Sequence, residues 1–243
     1  MSNPFSAFLK KRLLRKDQNL ISIDDPYEVI KRVLSRHSVT SILDAGASNG
    51  RISLRLLRLF PNATAYAFEP NPFYREILTR KADAEPRLRP QILALSDREG
   101  NVPLNIAKSP GISSFFTPSS SLKRLYPEDS TIRETVQVEA VTLDNWASHS
   151  GVKSIEIMKL DIQGAELMAL QGAKKMLETA TLAVYTELLF NTLYEGNPLY
   201  SQLDLFLRKA GFALFDFYKP KYDRQGKLLW ANALFLHSGR LRM

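Results

Sequence analysis

Short apolar runs alternate with amphipathic stretches along most of the chain, which is the pattern of an α/β fold. Apolar runs of strand length occupy residues 39–45, 63–68, 91–95, 155–162 and 182–188. The stretches that follow carry apolar side chains at helical spacing, notably in residues 51–60, 72–82 and 165–178. We therefore expect a doubly wound, mostly parallel sheet with helices on both of its faces.

The C-terminal part of the chain departs from this alternation. Asn197 and Pro198 predict the start of a last helix, and Gly211 predicts its end. Two further apolar runs, residues 212–218 and 229–237, are separated by a polar turn and predict a hairpin. The hairpin is expected to add one antiparallel strand to the parallel sheet.

The N-terminal residues predict helices rather than strands. Residues 5–16 have the spacing of a short basic amphipathic helix, which could rest on an anionic membrane or dock on its own domain. Asp25 and the proline after it predict the start of a second helix that ends near His37. We therefore divide the chain into a helical extension, residues 1–38, and one α/β domain, residues 39–243.

An insertion at about residues 102–141 interrupts the α/β pattern. Its ends, residues 102–106 and 136–141, have the composition of strands, whereas residues 109–134 are rich in serine and proline. Long irregular insertions in compact domains are often functional loops. We expect this one to border a substrate pocket, with Ser113 and Ser114 as polar contacts.

Composition narrows the classes of partner. The chain has no cysteine and three histidines, which argues against disulfides and against a Cys- or His-ligated metal site. It has no apolar run of about 18 residues, so we expect no membrane-spanning helix and a cytoplasmic protein that could contact a membrane through residues 5–16. The net charge of +8 favours an anionic partner, although no DNA partner is expected.

The sharpest local motif is a glycine loop after the first predicted strand. It runs from Asp44 to Gly50 and spaces its glycines as G-x-x-x-G, with Ser48 and Asn49 between them. The dinucleotide fingerprint needs G-x-G-x-x-G, so this loop is not built around a pyrophosphate. It better suits a sulfonium-bearing amino acid, whose ammonium group Asp44 could face while Gly46 allows close approach.

Acids follow the next two predicted strands. Glu69, followed by Pro70, ends the second strand, where a carboxylate can accept both hydroxyls of a ribose. Ser96 and Asp97 follow the third strand, where Asp97 could accept from an adenine amino group or simply form a turn. Glycine loop and acid together predict a nucleoside ligand.

The fourth predicted strand brings charged residues to the same edge. Lys159 and Asp161 share one face of that strand, and Glu187 ends the neighbouring one. A buried lysine needs an anionic partner, and Asp161 and Glu187 are the acids expected to supply it. Charged groups gathered at strand ends predict a catalytic site, with Asp161 as proton acceptor. Glu166 is placed either to bind substrate or to stabilise the next helix.

Several of these motifs together resemble the FkbM-type methyltransferases. The resemblance is carried by Met158-Lys159-Leu160-Asp161-Ile162-Gln163-Gly164-Ala165-Glu166, with Leu170-Gln171-Gly172-Ala173 behind it. Further matches follow in the same order over about residues 41–190, namely Asp44-Ala45-Gly46-Ala47, Phe68-Glu69-Pro70, Ala94-Leu95-Ser96-Asp97 and Val141-Thr142-Leu143-Asp144.

This resemblance implies a Rossmann-like fold, S-adenosylmethionine as cofactor, and O-methylation of a hydroxyl on a small molecule, saccharide or glycolipid. Two positions depart from the family pattern: Gln163 stands where the family has Glu, and Ser48 where it usually has Asn. Gln163 remains a candidate substrate contact because it keeps its hydrogen-bonding groups. The alternatives are an RNA methyltransferase, favoured by the charge, and a nucleoside-binding module that has lost catalysis, favoured by Gln163.

Overall fold

The computed structural model describes residues 24–241. The predicted helix at residues 5–16 lies outside the described residues. Within them, the predicted α/β alternation is confirmed: a seven-stranded sheet is covered by helices, and a three-stranded sheet is formed mainly by the insertion.

The seven-stranded sheet is parallel except for its last strand pairings. Its strands are β1 (Ser41–Ala45), β2 (Thr64–Phe68), β3 (Leu88–Gln91), β7 (Ile157–Leu160), β8 (Ala183–Leu189), β9 (Phe212–Tyr222) and β10 (Leu228–His237). They lie in the order β3-β2-β1-β7-β8-β10-β9, so the chain reverses its direction of travel across the sheet between β1 and β7. The hairpin of β9 and β10 places β10 antiparallel to β8, as expected from the sequence.

Helices cover both faces of the seven-stranded sheet. They are α1 (Pro26–Val33), α2 (Arg51–Leu59), α3 (Arg75–Ala84), α4 (Ser120–Leu125), α5 (Leu143–Ser150), α6 (Glu166–Gln171), α7 (Lys174–Thr179) and α8 (Tyr200–Lys209). The first three contribute to one buried apolar cluster and α5 to α8 to another. As predicted, Asp25 caps α1, because its carboxylate accepts the N–H groups of Tyr27 and Glu28.

The three-stranded sheet contains β4 (Ala94–Leu95), β5 (Gly100–Ala107) and β6 (Ile132–Val141). The two predicted strands of the insertion pair antiparallel, and β4 lies parallel to β6. The prediction of one strand over residues 91–95 is wrong. The chain leaves the seven-stranded sheet after Gln91 and joins the three-stranded sheet at Ala94. The apolar run therefore contributes to strands in two different sheets.

The predicted single helix over residues 165–178 is also wrong, because it breaks at Gly172. Asp144 causes the break by two contacts. Its N–H donates to the Gly172 carbonyl at 3.0 Å, and its carboxylate accepts the N–H groups of Lys175 and Met176 at 2.8 and 3.0 Å. The second half of the predicted helix therefore forms a separate helix, α7, whose N-terminal N–H groups are capped by a side chain of α5. The sequence analysis did not predict α5.

A smaller difference concerns the start of the last helix. The helix predicted to start at Asn197 and Pro198 begins at Tyr200, because the Asn197 side chain is used in the preceding turn, where it accepts the Tyr194 N–H at 2.9 Å. None of the helices within residues 24–241 has the length and apolarity needed to cross a membrane.

Candidate active site

The carboxyl ends of β1, β2 and β7 surround a cavity of about 240 Å³ at the point where the strand order reverses. In doubly wound sheets this is the usual place for a ligand, because adjacent loops diverge there and leave a crevice. We call it the first cavity. Its lining includes Gly46, Ser48, Phe68, Glu69, Pro70, Asn71, Leu93, Leu104, Phe115, Asp161 and Gln163.

Gly46 allows the glycine loop to lie directly against the end of β7. Its φ of +70° is left-handed, and a Cβ built on it would overlap the carbonyl oxygen of Asp161 and lie 2.9 Å from its carbonyl carbon. The contact is continued by the Asp161 N–H, which donates to Ala45 O at 3.1 Å. Only glycine lets the backbone of the two loops come this close. The sequence motif predicted close approach to a ligand, and that contact stays a prediction.

Asp44 and Lys159 form a buried ion pair beneath that loop. Asp44 Oδ1 lies 2.9 Å from Lys159 Nζ, and their side chains are 0% and 6% exposed. Asp44 therefore makes the direct contact that was expected of Asp161 and Glu187, although the charge of Asp161 also raises the pKa of Lys159. Asp44 and Lys159 face each other because they are register partners on the adjacent strands β1 and β7.

This pair supports the loop rather than entering the cavity. Lys159 Nζ also donates to Ala45 O and Gly46 O at 3.2 and 2.9 Å, so two backbone carbonyls and the charge of Asp44 hold its ammonium group. The other oxygen of Asp44 accepts from Ser53 Oγ at 2.6 Å. Neither side chain lines the first cavity. The predicted contact of Asp44 with a ligand ammonium, direct or through water, and the predicted catalytic role of Lys159 stay predictions that the position of these side chains does not support.

Glu69 lines the first cavity and fixes the loops beside it. Its carboxylate accepts the N–H of Ser48 at 2.8 Å and the N–H of Asn71 at 2.9 Å. Burial raises its pKa above the ordinary value, although both N–H groups oppose that shift by favouring the charged form. Pro70 lines the same wall, as predicted, and so does Asn71, which the sequence analysis did not single out.

Part of the lining of the first cavity is apolar. Leu93, Leu95 and Leu104 line it together with Phe115, and none of these four was predicted as a site residue. Leu104 and Phe115 belong to the insertion, so their position could not be derived from the α/β pattern.

The other predicted cofactor residues differ in how they relate to this cavity. Ser48 lines it with a left-handed φ of 52°, whereas Asn49 is exposed and accepts the Arg51 N–H at the start of α2. Ser96 is buried and Asp97 is exposed, and neither of them lines the cavity. Gly50 lies outside the lining as well, and its role is the left-handed turn into α2.

Asp161 presents a carboxylate to the first cavity. Gln163 holds it in place: Gln163 Nε2 donates to Asp161 Oδ1 at 2.9 Å, and Gln163 Oε1 accepts from Tyr194 Oη at 2.7 Å. Gln163 also has a left-handed φ of 56°, and its carbonyl accepts from Ser114 Oγ at 2.7 Å. A glutamate at this position would set a second carboxylate against Asp161, so the amide avoids like-charge repulsion.

Glu166 fastens the loop between β7 and α6. Its two oxygens accept the N–H groups of Ile162 at 2.8 Å and Gly164 at 2.9 Å. The side chain is fully buried and lies outside the first cavity, so the prediction that it binds substrate is not supported by its position. Burial raises the pKa of Glu166 to about 7, against the lowering effect of the N–H groups.

A second cavity of about 180 Å³ lies behind Gln163. It is lined by Ile112, Leu122, Tyr126, Gln163, Glu187, Leu189, Leu193, Tyr194 and Trp230. Glu187 therefore faces this cavity and not Lys159. Burial, followed by the nearby charges of Asp161 and Glu166, raises the pKa of Glu187 well above its usual range.

The insertion lies over the same edge of the sheet and forms part of the wall between the two cavities. Ser113 and Ser114 line the first cavity, and Ile112, just before these serines, lines the second. Ser113 Oγ accepts the Ala107 N–H at 3.2 Å, so much of its hydrogen bonding is internal. The segment has the location expected of a substrate loop; the contacts of both serines with a substrate stay predictions.

The first cavity fits the S-adenosylmethionine predicted from the sequence. Its apolar lining residues suit a flat base, and Glu69 offers carboxylate oxygens of the kind that bind a ribose. Within residues 24–241, no group of three or more His, Asp or Glu side chains is arranged to hold a metal ion.

Comparison with known proteins assigns the chain. Residues 44–214 match the family model of the Methyltransferase FkbM domain. The chain is 34% identical over 170 residues to 2-O-methyltransferase NoeI of Sinorhizobium fredii, covering 68% of this chain and 70% of that protein. It is 28% identical over 197 residues to Methyltransferase sdnD of Sordaria araneosa, covering 70% and 73% of the two chains.

A solved structure supports the fold. The crystal structure of Methyltransferase FkbM from Methylobacillus flagellatus superposes with a TM-score of 0.51 at 15% identity and covers 82% of this chain. The chain spans only 44% of that larger protein. With the family model covering most of the chain, and with glycine loop and acid at the reversal of strand order, the chain belongs to the FkbM methyltransferase family.

Proposed function

We propose that this protein transfers a methyl group from S-adenosylmethionine to a hydroxyl oxygen of a saccharide, glycolipid or other small molecule. One observation carries the proposal: Asp161, at the carboxyl end of β7, presents a carboxylate to the cavity that fits the cofactor. A hydroxyl needs a proton acceptor as it becomes a nucleophile, and a carboxylate in that position can serve as one. The name of the relative NoeI, a 2-O-methyltransferase, supports the same chemistry.

The residues around Asp161 prepare it for this task. The amide of Gln163 donates to one carboxylate oxygen and leaves the other free to meet a ligand. Lys159 makes its direct ion pair with Asp44 and not with Asp161. Asp161 would accept the hydroxyl proton as the methyl group passes from the cofactor sulfur to the hydroxyl oxygen, which leaves S-adenosylhomocysteine as the other product.

S-Adenosylmethionine is the methyl donor of the FkbM family and, when bound, supplies a methyl group activated by its sulfonium charge. The chain itself holds the cofactor, aligns it with the acceptor and encloses the reacting atoms. Glu69 and the loop of Gly46 and Ser48 would hold the nucleoside and amino-acid parts, while the insertion shields the site from water. Alignment of this kind supplies a large share of the rate of group transfer.

The test is release of S-adenosylhomocysteine from the wild-type protein over a panel of glycans, glycolipids and RNA. With the acceptor found, Asp161→Asn is expected to lower kcat by about 10²- to 10⁴-fold because the amide cannot accept the proton. Its affinity for S-adenosylhomocysteine is expected to stay within a few-fold of wild type. Asp83→Asn, a change at an exposed carboxylate on α3 outside both cavities, is the matched control and should retain activity.

Two results would contradict the proposal. If the Asp161→Asn variant keeps an activity within a few-fold of wild type at saturating cofactor, Asp161 has no part in proton transfer. Methylation of RNA with no turnover of any glycan or lipid would replace the proposed saccharide, glycolipid or small-molecule acceptor by a nucleic acid.

A further inference from the structure

The second cavity is distinct from the one that fits the cofactor, yet the two share a wall. Gln163 lines both cavities, and the same side chain contacts Asp161 on one side and Tyr194 on the other. Tyr194 Oη lies 2.7 Å from Gln163 Oε1 and 3.3 Å from Ile112 O, so it ties the wall to the insertion. A molecule in the second cavity would thus be separated from Asp161, the proposed proton acceptor, by the side chain of Gln163.

The lining of the second cavity is apolar and aromatic except at one end. Leu122, Leu189 and Leu193 are buried in it, and the rings of Tyr126 and Trp230 lie 6.4 Å apart at an angle of 52°. Such tilted aromatic faces offer broad flat surfaces with little conformational freedom to lose on binding. A pyranose ring matches this surface, because its C–H groups form an apolar face and its hydroxyls form a polar rim.

Glu187 is the polar end of the cavity. Among the described residues, none donates a hydrogen bond to its carboxyl group, although burial and the neighbouring acids disfavour its charge. An acid with no partner costs free energy in an apolar cavity unless a ligand supplies one. A neutral carboxyl both donates and accepts, so it can bind a hydroxyl in either role.

We infer that the second cavity is the acceptor site, that it takes a neutral sugar ring stacked on Tyr126 and Trp230, and that Glu187 selects the ring by hydrogen bonding to one of its hydroxyls. This inference rests on the proposed function, whose hydroxyl acceptor it specifies. The ring would extend past Gln163, so that a second hydroxyl reaches Asp161. Glu187 then determines specificity, while Asp161 carries the chemistry.

The chain has two tryptophans, which allows a direct binding test. Trp146 lies on α5 and packs into the core, and Trp146→Phe leaves Trp230 as the only tryptophan reporter. We would titrate this variant, saturated with S-adenosylhomocysteine, with methyl glycosides of neutral hexoses and deoxyhexoses and, separately, with medium-chain alcohols. At least one glycoside is expected to change Trp230 emission in a saturable way, whereas the alcohols should not.

Substitutions at Glu187 separate hydrogen bonding from structure. In the same background, Glu187→Met is expected to weaken glycoside binding by about 10- to 100-fold, since the hydroxyl loses its partner in an apolar site. Glu187→Gln keeps a neutral donor and acceptor and should bind within a few-fold of wild type. Glu195→Met, at an exposed glutamate nearby, is the control. Cofactor affinity should not change, because Glu187 lies outside the first cavity.

Different outcomes would refute the inference about the second cavity and the proposed function. No glycoside response of Trp230, or unchanged glycoside affinity in Glu187→Met, would overturn the inference. Saturable binding of the alcohols alone would also overturn it, while leaving O-methylation of an apolar hydroxyl in place. Glycoside binding with the expected Glu187 effects, but no methyl transfer to any hydroxyl, would instead refute the proposed function.

Discussion

Gly46→Ala tests whether the close approach of two loops holds the cofactor site together. The added methyl group would overlap the carbonyl oxygen of Asp161 and lie 3.2 Å from Ile162 Cγ2. Neither neighbour can yield easily, because the carbonyl belongs to the backbone at the end of β7. The loop or the strand end must therefore move, and both of them line the first cavity.

Two contributions make up the expected cost. A left-handed φ of +70° penalises any residue with a Cβ by about 1–2 kcal/mol. Forced displacement of well-packed backbone adds about 1–3 kcal/mol. We therefore expect Gly46→Ala to lower the free energy of unfolding by about 2–5 kcal/mol and to weaken binding of S-adenosylhomocysteine by about tenfold or more.

Gly226→Ala is the matched control. Its φ of +84° carries a similar backbone penalty, but a Cβ there would meet no atom within 4 Å. Urea unfolding gives the stability of each variant by linear extrapolation, and calorimetry gives cofactor affinity. Equal losses of stability in the two variants, with cofactor affinity retained in Gly46→Ala, would refute the argument from close approach.

Two further predictions concern buried charges. Lys159→Met should lower the free energy of unfolding by about 3–5 kcal/mol, because it leaves the Asp44 carboxylate buried without its cation. The double variant Lys159→Met, Asp44→Asn should regain part of this stability. Urea unfolding measures the stability of both variants. Glu166 has its pKa raised to about 7 from 4.5, so its contribution to stability is fully present below pH 4.5 and lost as the pH rises to 7. That loss amounts to up to about 3 kcal/mol. Glu166→Gln should remove this slope from the pH profile of unfolding, and an unchanged slope would assign it to other acids.

The sequence was most informative at positions where the backbone conformation or the end of a strand requires a particular type of residue. The glycine spacing from Gly46 to Gly50 predicted a loop that lets a ligand approach, and the structure has both glycines at positive φ. Glu69 was placed at the cavity because acids at the ends of parallel strands meet at one edge. Both predictions needed only the type of residue and its place at the end of a predicted strand.

Side-chain partners could not be read from the strand pattern in the same way. Lys159 pairs with Asp44 because of the register between β1 and β7, two strands that are far apart in the sequence. The second cavity draws on segments as distant as Ile112 and Trp230. Neither register nor the position of an insertion follows from local periodicity, so both required the three-dimensional structure.

The distribution of hydrogen bonds separates the acids at this edge of the sheet into two groups. Asp44, Glu69 and Glu166 each have both oxygens engaged by the protein, and each thereby ties a loop or strand end in place. Asp161 has one protein donor and Glu187 has none among the described residues, and these two face the two cavities. Hydrogen-bonding capacity left open in a buried place is costly unless a ligand uses it. The two least engaged acids are therefore the ones expected to meet the acceptor. Asp44 and Glu166 are expected to keep the site in shape, and Glu69 is expected both to hold its loops and to bind the nucleoside.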